Sequence, residues 1–266
     1  AASKASKVVW ISKELDSFSA NYVQEFCRKF NVKFISYEPF NYEHLQRACK
    51  KVFDVDSLPD YELSSADLIV SFGAEFLEYW LNPVKFSKDW AFRRKNAQVF
   101  HFQIEPRQTL TGSKADLWLP IKPHTEIYLA LALLKLVQKL KNTQLPTEII
   151  SFLNKLEIED LVSKTDIPNH LVHAIANKLV TASSPVVLGG GIQARGDPAE
   201  NLEIVCLLIN YCLDAVGKSV DITSGLKTSS SFASLEKALN EFDFSDPEAL
   251  LIVSGNIEPW VPTRLS

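Results

Sequence analysis

Residues 97–126 read AQVFHFQIEPRQTLTGSKADLWLPIKPHTE. Apolar and polar residues alternate as far as residue 104, which predicts a β-strand that ends in a Glu-Pro-Arg turn and a loop rich in hydroxyl groups. At the carboxyl end of a parallel strand, an acidic group can hydrogen-bond a ribose, and arginine and threonine can bind phosphate. A solvated loop with one ion pair is the alternative. The predicted nucleotide-binding residues of this loop are Glu105, Arg107, Thr109 and Thr111.

The residues before this stretch alternate between predicted strands and helices. Apolar runs predict strands at 8–12, 32–37 and 67–72, and helical periodicity predicts helices at 18–30 and 42–53. Strands separated by helices favour a parallel sheet with right-handed crossovers. We therefore predict an α/β fold with parallel, Rossmann-like sheets flanked by helices.

Gly73 follows the third of these strands, where the lack of a side chain lets a ligand or a second backbone approach closely. Glu75 and Glu78 come next and oppose phosphate binding. The Gly-x-Gly-x-x-Gly fingerprint of dinucleotide-binding folds is absent here. Its absence counts against one possible function, that of a soluble nucleotide- or NAD-binding protein of doubly wound fold.

A long apolar helix is predicted to begin after Pro123-His124 and to end near Leu140. Thr125 is expected to cap this helix, and Glu126 places a carboxylate in its first turn. From Asn142 the composition turns to Thr, Pro, Glu and Lys, so we expect a domain boundary there. The predicted domains are 1–141 and 142–266.

Two further strand ends carry glycine. Residues 185–198 read PVVLGGGIQARGDP, and 250–260 read LLIVSGNIEPW. Backbone N–H groups at the triple glycine can bind an anion, although close packing of strand and helix is an equally reasonable use of such a turn. The chain ends soon after the second strand, so we expect the second domain to be truncated. The candidate ligand-binding residues at these two ends are Gly189, Gly190, Gly191, Gln193 and Asn256.

The runs ADLIVSFGAEFLEYWLNPV (66–84) and IEPRQTLTGSKAD (104–116) resemble the molybdopterin oxidoreductase superfamily. The resemblance covers most of the chain. It is strongest to the molybdopterin-oxidoreductase-like part of the large iron-sulfur subunit of bacterial alternative complex III, a quinol-oxidising respiratory complex. In the superfamily, the turn at Gly73, the glycine-rich strand end and the Gly-Asn turn at 255–256 border a pterin dinucleotide. Cofactor-binding relatives typically read Pro-Gly-Thr-Asp where this chain has Pro123 to Glu126, so the resemblance implies that Thr125 and Glu126 are cofactor-binding residues.

This resemblance implies a structural domain of a respiratory electron-transfer subunit that has kept the fold without its own cofactor. The alternative is the part of an active molybdenum oxidoreductase that binds molybdopterin guanine dinucleotide. No self-contained catalytic centre is recognisable in the sequence. Under the first reading, iron-sulfur clusters lie elsewhere in the full-length protein, and the partners are other subunits of a membrane-bound bacterial complex. Membrane association then occurs through those partners, on the periplasmic side.

Composition excludes several classes of function. The chain has 266 residues, a formal net charge of -4 and no broad basic segment, so nucleic acid is not an expected partner. No apolar run is long enough to cross a bilayer. The four cysteines lack metal-binding spacing and are expected to be buried thiols, while the five histidines are scattered and suit surface or capping positions.

Aromatic residues are concentrated between Phe76 and Phe92, where Trp80, Phe86 and Trp90 also occur. Such a segment is either part of a hydrophobic core or a face that contacts a partner. Core packing is the more common use of aromatic side chains, and we expect it here.

Overall fold

The computed structural model describes residues 7–13, 15, 17–38, 41–96, 99–190, 197–226 and 232–254. The chain divides into two compact units. The first combines residues 1–43 with 228–266, and the second comprises residues 44–227.

The first unit contains a parallel three-stranded sheet in the order β2-β1-β9. In register, Val8 of β1 lies beside Val32 of β2 and Leu250 of β9. The βαβ start predicted from the sequence is therefore present. The elements are β1 (Lys7–Ser12), α1 (Ser17–Phe30), β2 (Val32–Ser36), α10 (Phe232–Asn240) and β9 (Ala249–Ser254).

Side chains of β1 alternate between the two faces of this sheet, as strand geometry requires. Val8 packs with Cys27 of α1 and with Val32. Val9 and Ile11 belong to a separate cluster on the α10 side, which includes Leu235 and Leu239. The apolar run of β1 is thus buried on both faces.

The second unit is built around a parallel four-stranded sheet in the order β6-β5-β4-β7. Two further strands, β3 and β8, form an antiparallel pair. The elements in chain order are α2 (Glu43–Phe53), β3 (Leu58–Tyr61), β4 (Leu68–Phe72), α3 (Pro83–Lys95), β5 (Phe100–Glu105), α4 (Leu110–Ser113), β6 (Leu117–Pro120), α5 (Glu126–Lys141), α6 (Thr147–Asn154), α7 (Ile158–Ser163), α8 (Asn169–Thr181), β7 (Pro185–Leu188), α9 (Asp197–Cys212) and β8 (Val220–Leu226).

Strand β4 lies inside this sheet, and all five of its residues are buried. Leu68 is in register with Phe100 of β5 on one side and with Pro185 of β7 on the other. Parallel strands covered on both faces need such continuous apolar runs. Strand β7 belongs to the predicted second domain, 142–266, but it completes the sheet formed by β4, β5 and β6, because only tertiary packing decides which strand it joins.

The boundary expected at residue 142 falls inside the second unit. Helix α5, before that position, packs against α8 and α9, which come after it. Leu133 and Val137 of α5 share one buried cluster with Val205 and Ile209 of α9. The polar residues after Asn142 form a loop that joins α5 to α6 within this unit.

The aromatic segment and the cysteines are mainly buried. Phe76, Trp80 and Phe86 are at most 2% exposed, in agreement with core packing, whereas Phe92 is 59% exposed. All four cysteines are buried free thiols, as expected. Among the described residues, no helix is both long and apolar enough to cross a membrane.

Candidate functional site

The parallel sheet of the second unit brings most of the predicted site residues to one edge. Its four strands run in the same direction, so their carboxyl ends lie together. Ligands of open α/β sheets bind outside these ends. Gly73 follows β4, Glu105 ends β5, Thr125 follows β6, and Gly189 follows β7.

The carboxylate of Glu105 is used inside its own loop. The residue is 1% exposed. Its Oε1 accepts hydrogen bonds from the Thr109 backbone N–H at 2.7 Å and from the Thr109 hydroxyl at 3.0 Å. Its Oε2 accepts from the amide of Gln103 at 2.8 Å. A ribose hydroxyl would have to displace these donors, so Glu105 organises the loop rather than presenting a free carboxylate.

Thr109 extends this arrangement to α4. Its Oγ1 accepts a hydrogen bond from the Gly112 backbone N–H at 3.0 Å and so caps the helix. A methyl group added at Gly112 would overlap Oε1 of Glu105. Glycine is therefore needed for the close approach of the carboxylate and the helix.

Thr111 and Arg107 differ in their availability to a ligand. Thr111 is fully buried, and its hydroxyl accepts from the Leu77 backbone N–H at 3.3 Å and lies 3.5 Å from Glu78 Oε2. The side chain of Arg107 is 74% exposed, and its Nη2 lies 4.0 Å from Glu75 Oε1. Of these two residues, Arg107 is the one that points a polar group toward solvent.

Strand β5 carries a row of buried polar side chains that sequence reasoning missed. His101, Gln103 and Glu105 are each at most 1% exposed. The His101 Nε2 lies 3.0 Å from the Gln103 Oε1, and Gln103 donates in turn to Glu105. The alternation of three polar residues on one strand face was the available signal. The expectation of a surface or capping position was wrong for His101, because its neighbours on this face, including Phe76, enclose it.

Burial changes the proton affinity of two groups near this row. It lowers the pKa of His101 to about 4, an effect that the hydrogen bond to Gln103 Oε1 only partly offsets. Burial, with the carboxylates of Glu78 and Glu105, raises the pKa of Glu75 to about 7, although Arg107 acts in the opposite direction. Each residue is therefore neutral over a pH range in which the same residue type, if exposed, would be charged.

Glu75 is a further group that the sequence did not single out as a site residue. It is 2% exposed, and its Oε2 has no hydrogen-bond partner among the described residues. The turn that carries it includes Gly73, whose φ of 73° lies in the left-handed region that favours glycine. Ser71 closes this turn by accepting from the Ala74 N–H and donating to the Ala74 carbonyl, both at 3.1 Å.

The segment after β6 differs from the expected cap. Thr125 stands at the N-cap position of α5, but its hydroxyl donates to the Lys122 carbonyl at 2.7 Å and does not cap the helix. His124 has a φ of 64°, a conformation that favours glycine. Glu126 is half-buried, and burial raises its pKa.

The glycine turn after β7 holds a side chain from α9. Gly190 has a φ of 66°, and the carboxyl group of Glu203 lies against both Gly189 and Gly190. Glu203 is 4% exposed, and burial raises its pKa to about 8. Its spacing from Ala199 and Cys206 already placed it on the buried face of α9, although sequence reasoning did not use that signal. The predicted residues Gly191, Gln193 and Asn256 lie outside the described residues.

Among the described residues, no group of three or more His, Cys, Asp or Glu side chains is arranged to hold a metal ion.

Similarity to known proteins agrees with the predicted fold. The menaquinone reductase, molybdopterin-binding-like subunit, of Nitratidesulfovibrio vulgaris is 25% identical over 166 residues, which is 59% of this chain and 24% of that protein. The acetylene hydratase of Pelobacter acetylenicus superposes with a TM-score of 0.63 at 12% identity, over 80% of this chain and 30% of the other. No family model matches the chain.

These similarities confirm the α/β class, with parallel sheets flanked by helices in the arrangement of molybdopterin oxidoreductases. The relative from N. vulgaris is itself named as molybdopterin-binding-like, in line with the resemblance found in the sequence. The chain spans about a quarter of the length of the curated relative and less than a third of the matched structure.

Proposed function

We propose that this chain is a structural domain of a molybdopterin-oxidoreductase-like subunit in a respiratory electron-transfer complex, and that it binds no cofactor of its own. One observation carries this proposal. At each of three strand ends where a dinucleotide would bind lies a buried carboxyl group of the chain itself: Glu75 after β4, Glu105 at the end of β5, and Glu203 against the turn after β7.

The residues present do not fit a pterin guanine dinucleotide, because each of these carboxyls opposes its binding in a different way. Glu105 has its oxygens engaged by Thr109 and Gln103. Glu203 fills the space against the glycine turn. A diphosphate beside Glu75 would place two acidic groups together, and their repulsion is costly in a buried setting. We therefore derive no reaction step through this cofactor.

The finer parts of the proposal concern the rest of the complex. The relative from N. vulgaris bears the name of a menaquinone reductase subunit, which supports a quinone-linked complex as the setting. Within that class we propose a quinol-oxidising complex of the alternative complex III type, in a bacterium. Iron-sulfur clusters would lie elsewhere in the full-length protein, and neighbouring subunits would hold this domain at the membrane, on the periplasmic side.

A second candidate is the pterin guanine dinucleotide-binding part of an active molybdenum oxidoreductase. It is favoured by the collection of Gly73, Arg107 and Gly190 at one sheet edge. The two glycines have positive φ, and the exposed Arg107 guanidinium is well suited to phosphate. This candidate requires the carboxyl groups to move away from the edge.

Metal and pterin analysis of the full-length native protein separates the two candidates. A structural domain predicts iron but neither molybdenum nor tungsten, and no pterin fluorescence after denaturation. Stoichiometric metal and pterin would overturn the proposal.

Arg107→Ala gives a matched test with nucleotide. If the domain binds no cofactor, titration with GDP gives the same absence of binding in the variant and in the native protein. A measurable GDP affinity that Arg107→Ala reduces would support the second candidate instead.

A further inference from the structure

The glycine turn after β7 has the sequence of a phosphate-binding turn but different contents. Strand ends with consecutive glycines commonly bind phosphate, because no Cβ blocks the approach of the anion to the backbone. Here a methyl group added at Gly189 would lie 2.6 Å from Glu203 Oε2. One added at Gly190 would overlap Glu203 Oε1. The space that glycine leaves open is therefore taken by a carboxyl group of α9.

The surroundings of Glu203 are those of a closed interior. Oε2 of Glu203 has no hydrogen-bond partner among the described residues. Burial and the neighbouring Glu203 raise the pKa values of both Tyr61 and Cys206, which share this interior. A buried carboxyl oxygen without a partner is costly, so stability alone does not explain why this side chain lies against the glycine turn.

Two basic side chains of α2 form ion pairs with a different acid of α9, Glu200. Arg47 Nε lies 2.7 Å from Glu200 Oε2, and Lys51 Nζ lies 2.5 Å from Glu200 Oε1. Glu200 lies one helical turn before Glu203. The two basic side chains therefore pair with Glu200 and not with the buried Glu203. The Glu203 carboxyl therefore lies against the two glycines with no ion-pair partner among the described residues.

We propose that Glu203 is the residue that excludes phosphate groups from this turn: its carboxyl occupies the space against Gly189 and Gly190 in which the phosphate of a nucleotide would bind. The inference rests on the proposed function and assigns the loss of binding at this strand end to one side chain. The block is mainly steric, so it persists when the carboxyl is replaced by an amide of the same size.

Glu203→Gln and Glu203→Ala form a matched pair in the full-length protein. The probe is inorganic pyrophosphate, detected by the rise in Tm and located by hydrogen exchange of peptides that contain residues 185–190. Glu203→Ala is expected to bind pyrophosphate at least about tenfold more tightly than the native protein or Glu203→Gln. Equal affinity in all three proteins, or protection at 185–190 in the native protein, would overturn the inference.

A second measurement needs no ligand, and its first part, in the native background, does not depend on the folding of Glu203→Ala. Gly189→Ala should lower the Tm of the native protein, because the new methyl group meets Glu203 Oε2 and also Cys206 Sγ at 3.0 Å. The loss of Tm caused by Gly189→Ala should be smaller in the Glu203→Ala background, where the contact with Cys206 remains but the carboxyl is gone. Equal losses in both backgrounds would show that Glu203 does not occupy this space.

The two proposals fail in different ways. Pyrophosphate protection at the loops after β4 and β5, with none at 185–190, would contradict the cofactor-free domain while leaving the role of Glu203 intact. Absence of all binding in Glu203→Ala, without coupling to Gly189, would overturn the role of Glu203 while leaving the structural domain standing.

Discussion

The carboxylate of Glu105 holds the loop between β5 and α4 in place. It accepts from a backbone N–H, a hydroxyl and an amide, and all of these groups are buried. Hydrogen bonds to a charged acceptor are stronger than neutral ones, and a buried donor left without a partner is costly. A single side chain thus determines the shape of the loop in which nucleotide binding was predicted.

Replacing this carboxylate should destabilise the second unit. Glu105→Gln removes one acceptor oxygen, and we expect a loss of about 2 kcal/mol in the free energy of unfolding. Gly112→Ala should cost a similar amount, because its methyl group overlaps the carboxylate. Urea unfolding measures both. Glu148→Gln, at an exposed position of α6, is the control and should be nearly neutral. An equally small change in all three variants would contradict the role of Glu105.

Glu75 should make stability depend on pH in the opposite sense to an ion-paired carboxylate. Its pKa rises from 4.5 to about 7 on folding, so between these values the unfolded chain holds fewer protons than the folded one. Stability therefore falls as pH rises through this window. Glu75→Gln should be more stable than the native protein by about 1–2 kcal/mol at pH 8 and equal to it at pH 4. A constant difference across this range would show that ionisation of Glu75 is not responsible.

At the scale of elements, α9 supplies more than packing to strand β7. The side-chain amide of Asn210 donates to the Val187 carbonyl at 2.7 Å and accepts from the Val187 N–H at 2.9 Å. Asn210 is fully buried. The side chain thus makes the two hydrogen bonds that a neighbouring strand would make, and it joins the helix to the sheet.

Asn210→Ala should therefore weaken the connection between α9 and β7. The change leaves one buried donor and one buried acceptor unpaired, at an expected cost of about 3 kcal/mol. Hydrogen exchange of the Val187 amide should also become faster than that of Val70 in the neighbouring strand. Asn177→Ala, at an exposed position of α8, is the matched control. Unchanged exchange at Val187 would mean that Asn210 is replaceable by solvent.

For the whole molecule, buried titratable groups predict the pH range in which the second unit is weakest. Because the pKa of His101 is lowered to about 4, protonation of this residue destabilises the folded unit as pH falls below 6.5. The pKa values of Glu75 and Glu203 are raised to about 7 and 8. The folded unit therefore becomes less stable as pH rises from 4.5 toward those values. Between pH 6.5 and 8, only the two carboxyls titrate within this set.

The second unit should therefore lose about 1–2 kcal/mol of stability between pH 6.5 and pH 8. Native-state hydrogen exchange of the buried amides of β4 and β5 reports on this unit alone. The double variant Glu75→Gln, Glu203→Gln should show a much flatter profile in that window. A profile that remains as steep in the double variant would assign the loss to other groups.

The amino-acid sequence by itself determined the elements that rest on local pattern. Continuous apolar runs such as 68–72 and the helical periodicity of 126–140 specify strand and helix through burial, which needs no knowledge of the partner. The parallel α/β class followed from their order, and the burial of the cysteines from their chemistry. The loop after β5 was also recognisable, because glycine, proline and hydroxyl residues punctuate the chain there.

Only the tertiary structure decided which strands pair and what fills their ends. Strand β7 joins β4 across more than a hundred residues, and β3 pairs with β8 at a similar distance along the chain. The same contacts bring Glu203 of α9 against Gly189 and Gly190. A glycine turn read alone indicates open space, but whether a ligand or a side chain takes that space depends on residues that only folding brings together.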